Sequence, residues 1–483
     1  MKLFQPLNIG GMVIPNRIMV PAMVTRLSGE DGLVNQDILD RYVRYAHGGV
    51  GLIVVEAMAV HQAKSGPLLR ISDDKFIPGL RDLARRVHDE SDSKIVPQII
   101  HFMKVAKSGW RQTIDMLTIE EIDRIVEQFG DAVVRAREAG FDGAELHSAH
   151  AYTLASFVSR TNPRDDEYTG KTLEGRLRLI GRIFENIRRK VGNDFPVGVR
   201  YLADEFIKDG YTVCDAKLIG LRLAELGAAY LSLSVGGKFD DAVHIAGQVP
   251  YPYTGYSGDR CMPGDWYPNV PHAHFSAEIK SYVKGRGYAT PVATAGKISD
   301  PDDAERLIAQ AQVDIVGIAR GLLADPDWPH KVRNGERERI IQCDYCNVCK
   351  HLDGTHNRVI CALWPQGALQ APADDLTVTT PLWGPEGAEL RVLSVANGAV
   401  TLKWNKASGA ARYDVYRRDD QGNVSFADAV KVTRWEDHNI LSGKKYGYYL
   451  RACAATGQAS SPSNTVFAEM PPPSYLSNPQ PSA

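Results

Sequence analysis

The strongest constraint on the fold is a regular alternation of short apolar runs with longer amphipathic segments. Eight short runs have the β-branched, apolar composition of buried strands: 17–22, 51–56, 95–100, 141–147, 196–201, 229–234, 290–295 and 313–318. Helical patterns such as 119–138 and 215–226 lie between them. Because apolar strands that alternate with helices form parallel sheets covered on both faces, the pattern predicts an α/β domain. Eight such units fit a closed (β/α)₈ TIM barrel better than an open doubly wound sheet.

Composition narrows the class of protein. The chain has 483 residues, 44% of them hydrophobic, and a formal net charge of −2. That length predicts one large domain and a smaller one, and the near-neutral charge argues against a nucleic-acid partner. The N-terminus lacks a secretory pattern, and no run reaches about 18 apolar residues. We therefore expect a soluble, cytoplasmic protein with no membrane partner.

Polar side chains gather where the predicted strands end. Gln98 lies near the end of the third run, His147, His150 and Tyr152 follow the fourth, and Arg200 lies near the end of the fifth. Barrel enzymes keep their chemistry at the carboxyl ends of their strands, and histidine and tyrosine can donate protons there. The alternative is a histidine pair that only satisfies backbone carbonyls in the barrel core.

Glycines beside basic residues follow the last two strands. Gly296-Lys297 follows the seventh run and Ala319-Arg320-Gly321 follows the eighth. Backbone N–H groups and a helix N-terminus at these positions commonly bind phosphate in such barrels, so the sequence predicts a phosphorylated cofactor. The alternative is that Arg200 and Arg320 are ordinary surface cations.

Several ordered stretches resemble the old yellow enzyme family of FMN-dependent oxidoreductases over about residues 1–365. They are PNRIMVPAM (15–23), GLIVVEA (51–57), Gln98 with His101, AGFDGAELHSAHAY (139–152), NPRDDEYTG (162–170), VGVRY, ATAGKI and VGIARGLLADP. The resemblance implies FMN as cofactor and NAD(P)H as a donor. It also implies FMN contacts from eleven residues: Pro21, Ala22, Met23, Val24, Ala57, Gln98, Arg200, Gly296, Lys297, Ala319 and Arg320.

Those contacts divide by the part of the cofactor they would meet. Residues 21–24 and Ala57 would lie along the isoalloxazine ring, and Gln98 would bond its polar edge. Arg200 would place positive charge near N1, where reduced flavin is anionic, and so favour the reduced form. The residues after the seventh and eighth strands would hold the ribityl phosphate.

The resemblance also implies a reaction. In the ene-reductase members, residues at the places of His147 and His150 bind the carbonyl oxygen of an activated alkene, hydride comes from reduced FMN N5, and a tyrosine at the place of Tyr152 protonates the α-carbon. Amine dehydrogenases of the family have tyrosine where this chain has His147, so reduction of an α,β-unsaturated carbonyl or enoyl thioester is favoured. The alternatives are a dehydrogenase or demethylase that runs oxidatively, and an electron-transfer subunit. His244 is a second-rank proton donor.

The loop after the sixth strand bears on the substrate. It is long and rich in aromatic residues. We expect it to face the loop between His101 and Leu117, which is shorter than members of the resembled family typically carry. This pairing suggests a roomy mouth for a flat or bulky substrate. The aromatic residues concerned are Tyr251, Tyr253, Tyr256, Trp266 and Tyr267.

Four cysteines follow the barrel: Cys343, Cys346, Cys349 and Cys361. Their C-x₂-C-x₂-C spacing with a later fourth cysteine matches neither paired zinc knuckles nor a zinc finger. It resembles the 4Fe-4S site of the dienoyl-CoA reductase branch, with one residue fewer before the third cysteine. Zinc and unmetallated thiols remain alternatives. A cluster could relay electrons from a donor protein or be structural.

The predicted domains are a barrel at 1–340, a cysteine segment at 341–364, a linker at 365–387, an all-β domain at 388–471 and a disordered tail at 472–483. Trp404 and the L-x-G-x-x-Y arrangement of Leu441, Gly443 and Tyr446 resemble a fibronectin type III sandwich with its tyrosine corner. Such domains are interaction or spacer modules. We also expect a homo-oligomer.

Overall fold

The structure is a computed structural model that describes residues 1–62, 66–104, 110–237, 255–373, 381–396, 398–420, 422–454 and 459–471. The chain forms two compact units. The first comprises residues 1–340 and 350–359, and the second comprises residues 341–349 and 360–483.

The first unit contains a closed barrel of parallel strands, which confirms the predicted fold class. In the described part of this unit, a β1 (Leu7–Ile9) and β2 (Met12–Ile14) hairpin precedes eight barrel strands in the closed order β10-β3-β4-β5-β6-β7-β8-β9. The barrel strands are β3 (Ile18–Val20), β4 (Leu52–Ala59), β5 (Lys94–Ile100), β6 (Ala144–Ser148), β7 (Val197–Leu202), β8 (Leu231–Ser234), β9 (Val292–Ala295) and β10 (Ile315–Gly317).

The helices of the described chain are α1 (Gln36–His47), α2 (Ile77–Glu90), α3 (Ile119–Glu138), α4 (Thr153–Val158), α5 (Leu173–Val191), α6 (Val213–Glu225), α7 (Gly255–Cys261), α8 (Ala273–Gly285), α9 (Pro301–Ala309), α10 (Arg320–Ala324), α11 (Trp328–Asn334) and α12 (Val348–Gly354). Helix α3 shows how the sequence defines its limits. Thr118 and Glu121 form a reciprocal capping box at its start, and an apolar face that includes Phe129 is buried. No described helix has the length and apolar character needed to cross a membrane.

The hairpin closes one end of the barrel interior. Ile9 and Ile14 are fully buried and belong to the same apolar cluster as Met19, Val54 and Val96 on the first three barrel strands. These side chains fill the space near the amino ends of the strands, which leaves the carboxyl ends to carry polar groups.

The second unit contains an all-β region of antiparallel sheets. In its described residues, a three-stranded sheet has the order β11-β12-β15 and a four-stranded sheet has the order β14-β13-β16-β17. The strands are β11 (Arg391–Ala396), β12 (Ala399–Lys403), β13 (Arg412–Arg418), β14 (Val424–Val430), β15 (Arg434–Asp437), β16 (Lys445–Cys453) and β17 (Val466–Glu469). The sequence analysis did not identify β14 and β15, because both are largely exposed and have few buried positions to set a period.

Two features bear on the fibronectin type III resemblance, which stays a prediction. Trp404 is buried in the core of this unit. The backbone N–H of Leu441 donates to Tyr446 Oη at 3.0 Å, which is the type of bond a tyrosine corner makes.

Candidate active site

The structure brings the three predicted proton donors together at the end of β6. His147 lies on β6 opposite Arg200 of β7, so the two side chains start from the same face of the sheet. The ring of His147 lies 5.1 Å from that of His150 and 5.2 Å from that of Tyr152, measured between centroids. Tyr152 immediately precedes α4. A group bound at this strand end can therefore meet all three rings.

The backbone between these residues is strained. His150 and Ala151 both have φ of +59°, in the left-handed region that residues with a Cβ seldom adopt. Such a conformation costs about 1–3 kcal/mol per residue and is commonly found where function requires it. His150 is also held by a 2.7 Å hydrogen bond between its Nε2 and Ser234 Oγ of β8. The turn therefore fixes the direction of the His150 ring.

A buried carboxylate that the sequence analysis missed connects the next polar groups. Gln98 Nε2 donates to Glu145 Oε1 at 2.7 Å, and Tyr230 Oη donates to Glu145 Oε2 at 3.0 Å. Burial raises the pKa of Glu145, while the charge of Arg200 and these hydrogen bonds lower it in part. Arg200 itself donates to Ser232 Oγ at 2.9 Å. Since Glu145 uses the amide nitrogen of Gln98, the amide oxygen of Gln98 is directed elsewhere.

The predicted phosphate end has a narrow glycine turn and two buried cations. Gly296 has φ of +122°, and a Cβ at that position would lie 2.4 Å from Nδ1 of His272, so glycine is required. Lys297 Nζ donates to the backbone oxygens of Asp265 at 3.0 Å and Tyr267 at 2.5 Å. The remaining members of this group are Ala319, which precedes α10, and Arg320, whose Nη1 donates to the oxygen of Pro263 at 2.8 Å.

The segment predicted to lie along the flavin ring is anchored by a second buried carboxylate. Residues 21–24 follow β3, and Ala57 lies in β4, where it is buried. Next to Ala57, Glu56 accepts hydrogen bonds from both the N–H and the hydroxyl of Thr25. Burial raises the pKa of Glu56 to about 7, against the lowering effect of these bonds and of Arg26 and Arg41.

Three further histidines lie just after strands or in loops, and the sequence analysis assigned them no role in the site. Burial lowers the pKa of His101 to about 3 and that of His61 to about 4, and the two rings lie 4.9 Å apart. Burial likewise lowers the pKa of His272 to about 4. They are neutral near pH 7, so they can accept or donate hydrogen bonds without adding charge.

A cavity of about 230 Å³ lies beside the loop that carries Tyr152. Its wall includes Arg111, Ala151, Ser156, Asn162 and Glu205, which lie in the segments that follow β5, β6 and β7, with Ser156 in α4. Of the predicted aromatic mouth, Tyr256 and Trp266 are exposed and Tyr267 is half-buried. Three residues of those predictions, Tyr251, Tyr253 and His244, lie outside the described residues.

The four cysteines all lie in the second unit and form no disulfide. Burial raises the pKa of Cys346 well above its usual range, and Cys343 and Cys349 add to this effect. Burial likewise raises the pKa of Cys361 well above its usual range, and Cys343 and Cys349 add to this effect. Among the described residues, no group of three or more His, Cys, Asp or Glu side chains is arranged to hold a metal ion. The metal role of the cysteines therefore stays a proposal.

Comparison with known proteins places the barrel in a family. Residues 2–339 match the NADH:flavin oxidoreductase / NADH oxidase family. The chain is 37% identical to an NADH oxidase of Thermoanaerobacter brockii over 72% of this chain and 53% of that protein. It is 30% identical to an N,N-dimethylglycine/sarcosine dehydrogenase of Chromohalobacter salexigens, over 72% of this chain and 50% of that protein.

Two further matches cover a similar share of this chain. A cinnamate reductase of Clostridium sporogenes is 29% identical over 71% of this chain and 54% of that protein. A solved 2-naphthoyl-CoA reductase has a TM-score of 0.64 at 22% identity, over 76% of this chain and 59% of that one. The chain spans about half the length of the curated relatives it matches. From the match over the whole barrel, the chain belongs to the NADH:flavin oxidoreductase family, the old yellow enzyme family of FMN-dependent oxidoreductases.

Proposed function

We propose that this chain is a flavin-dependent reductase of an activated C=C bond, acting on an α,β-unsaturated carbonyl compound or an enoyl thioester. The observation that carries the proposal is the grouping of His147, His150 and Tyr152 at one strand end. The match to a cinnamate reductase adds support.

The family supports FMN as the cofactor, and the buried groups suit it. Lys297 and Arg320 are buried cations beside a glycine turn, which suits a phosphate. Arg200 supplies a positive charge on β7 opposite His147, near the place proposed for the ring's N1. Glu145 fixes the amide of Gln98, so that its oxygen can accept from a ring N–H. Bound FMN would supply the hydride, with NAD(P)H as a source of electrons.

The chain's own residues would then handle the oxygen and the proton. His147 and His150 would donate hydrogen bonds to the substrate oxygen on which negative charge develops. The Ser234 bond and the left-handed backbone hold His150 in one direction, so little reorganisation is needed. Tyr152 would hold the proton that the α-carbon receives.

The oxyanion site can be tested without turnover. A phenolate resembles the polarised substrate oxygen, so para-substituted phenols should bind next to the flavin and shift its visible spectrum. His147→Ala with His150→Ala should abolish that shift while FMN stays bound. Arg178→Met, which changes an exposed residue of α5, is the matched control. Unchanged phenol binding by the double variant would place the oxyanion site elsewhere.

We further propose that Cys343, Cys346, Cys349 and Cys361 hold a 4Fe-4S cluster that relays electrons. The donor set is four thiols in one unit, and the N–H of Tyr345 donates to Cys343 Sγ at 3.4 Å, the type of bond that stabilises a sulfur ligand. Anaerobic purification should give about four iron and four sulfide per chain. Zinc in place of iron would contradict the relay, and so would full reduction of the flavin by NAD(P)H at an unchanged rate in Cys346→Ala.

The dehydrogenase or demethylase direction is the second candidate, because a dehydrogenase of N-methylated amines is among the relatives. The same flavin site could take electrons from an amine. An anaerobic test separates the two candidates: a reductase substrate oxidises the reduced flavin, whereas a dehydrogenase substrate reduces the oxidised flavin.

A further inference from the structure

The outer face of one sheet in the all-β region is buried, where an isolated sandwich would expose it. Along β16, Tyr448, Leu450 and Ala452 face the core of the region. Side chains alternate along a strand, so Tyr449 and Arg451 face outward. Yet Tyr449 is only 4% exposed and Arg451 only 1%. Residues outside the sheet therefore cover these two side chains.

The cysteine loop, residues 343–349, forms part of this cover. Arg451 Nη2 lies 2.8 Å from Oδ2 of Asp344, the residue that follows Cys343, and its Nε donates to the same oxygen at 3.3 Å. Both side chains of this ion pair are at least nine-tenths buried. The other carboxylate oxygen of Asp344 accepts from the N–H of Cys346 at 3.1 Å. Arg451 of the sheet thereby holds Asp344, and Asp344 in turn is hydrogen-bonded to Cys346.

The loop needs such an anchor because its backbone is strained. Tyr345 and Asn347, which flank Cys346, have φ of +58° and +60°. Asparagine tolerates this region, whereas a tyrosine adopts it only where its surroundings compel it. The pair between Asp344 and Arg451 lies directly beside Tyr345 and supplies that constraint.

A pair of tyrosines completes the wall. Tyr416 of β13 stacks on Tyr449 at 4.9 Å, with their planes 7° apart, and its Oη donates to the backbone oxygen of Ala362, next to Cys361. Tyr449 Oη is buried and has no hydrogen-bond partner among the described residues. An O–H donor without a partner among the described residues is therefore buried in the wall that also holds Asp344 and Ala362, the neighbours of Cys343 and Cys361.

We propose that the all-β region is a working part of the cysteine site. Arg451 is a positioning residue that holds the loop of Cys343, Cys346 and Cys349, and Tyr449 donates a hydrogen bond to sulfur of the group that the four thiols bind. The ligand is the iron–sulfur cluster of the proposed function, on which the inference about Tyr449 rests. The role of Arg451 acts on the loop itself and does not depend on the metal.

The first experiment measures access to the thiols. Arg451→Met keeps a long apolar stem but loses the charge, so Asp344 is released and the loop should open. We expect Cys346 to react with iodoacetamide at least tenfold faster in the metal-free variant than in metal-free wild type, as followed by peptide mass spectrometry. Arg451→Lys, which restores a charge, should recover part of the protection. Arg434→Met, which removes an exposed ion pair of β15, is the control and should react like wild type.

Equal reaction rates in Arg451→Met and wild type would overturn the positioning role. This result is independent of the proposed function, because alkylation is measured whether or not the protein binds iron. FMN content, measured in the same samples, should be equal in all variants.

The second experiment uses Tyr449→Phe, which removes one oxygen and leaves the stacked ring. In anaerobically purified protein, iron content should be unchanged and the midpoint potential of the cluster should fall, because hydrogen bonds to sulfur raise it. A potential and electron paramagnetic resonance spectrum identical to wild type would exclude Tyr449 from the site. Wild-type protein without iron would also overturn the role of Tyr449, while the alkylation result would still decide that of Arg451.

Discussion

The polar groups at the barrel strand ends and those at the cysteine loop are positioned by different means. In the barrel, three key pairs are register partners on neighbouring strands. Gln98 stands opposite Glu145, His147 opposite Arg200, and Arg200 opposite Ser232. The hydrogen-bonded ladder therefore sets these distances, and the side chains need only be long enough to meet.

The cysteine loop has no such ladder. Asp344 and Arg451 are 107 residues apart in sequence. The loop that carries Asp344 and the cysteines also includes Tyr345 and Asn347, whose backbones are in the left-handed region. Its geometry depends on one buried ion pair and on packing against a sheet. A site built on register should lose function locally when one side chain changes, whereas a site held by a buried pair should lose structure.

Tyr152→Phe sharpens this comparison with the largest expected effect. Reoxidation of the reduced flavin by an enone should slow by about 10²–10⁴-fold, because the general acid is lost. Stopped-flow absorbance of the flavin measures it. FMN binding, iron content and thiol protection should stay at wild-type values. A change in iron content would show that the two sites are not separate.

Arg451→Met should have the next largest effect, now on stability. Removing one partner leaves the Asp344 carboxylate buried and unpaired, which should cost about 3–5 kcal/mol of the free energy of unfolding. Chemical denaturation followed by the fluorescence of the buried Trp404 and its neighbours measures this for the second unit. The rate of flavin reoxidation should not change. If the free energy of unfolding falls by less than about 1 kcal/mol, as for an exposed ion pair, the cysteine loop does not depend on this buried pair.

Glu56→Gln should change the pH dependence of stability. Burial raises the pKa of Glu56 from its ordinary value of 4.5 to about 7 in the folded chain. Between these values the folded state binds the proton that the unfolded state has released, so the group's contribution falls as pH rises from 4.5 to 7. The difference is about 3 kcal/mol over this window, at 1.36 kcal/mol per pKa unit. The variant should lose that slope in unfolding measured from pH 5 to 8. An unchanged slope would show that Glu56 does not titrate there.

Ser234→Ala should have the smallest effect. It removes the hydrogen bond to His150 Nε2, worth about 1 kcal/mol. Titration with a substituted phenol should show binding weakened by about fivefold. The positive φ of His150 should keep most of the site in place. No change in affinity would indicate that the turn alone orients His150.

The barrel was predictable because its signals are local. Apolar runs gave all eight barrel strands within a few residues, and α3 has the predicted limits, since its capping residues and its apolar period agree. The proximity of His147, His150 and Tyr152 followed from their short spacing at one strand end. Glu145 and Glu56 were missed, although each interrupts an otherwise apolar run, which is the signal that could have revealed them.

The structure around the cysteines could not be predicted, because it depends on contacts between residues far apart in the sequence. Nothing near Asp344 or Arg451 in the sequence indicates that they meet, and the burial of Tyr449 follows from the same packing. Strands β14 and β15 are largely exposed, so few buried positions were available to set a period that separates them from loops. Register can be inferred from neighbours in sequence, whereas long-range packing of an irregular loop cannot.

The direction of the redox reaction is the central claim, and one anaerobic measurement tests it. Dithionite-reduced protein is mixed with one equivalent of an α,β-unsaturated ketone, and the flavin spectrum and the product are followed over a single turnover. We predict that the flavin is reoxidised and that one saturated ketone forms per flavin, while N-methylated amines leave oxidised protein unchanged. A flavin that stays reduced with the enone, in protein whose oxidised form such an amine reduces, would contradict the reductase proposal.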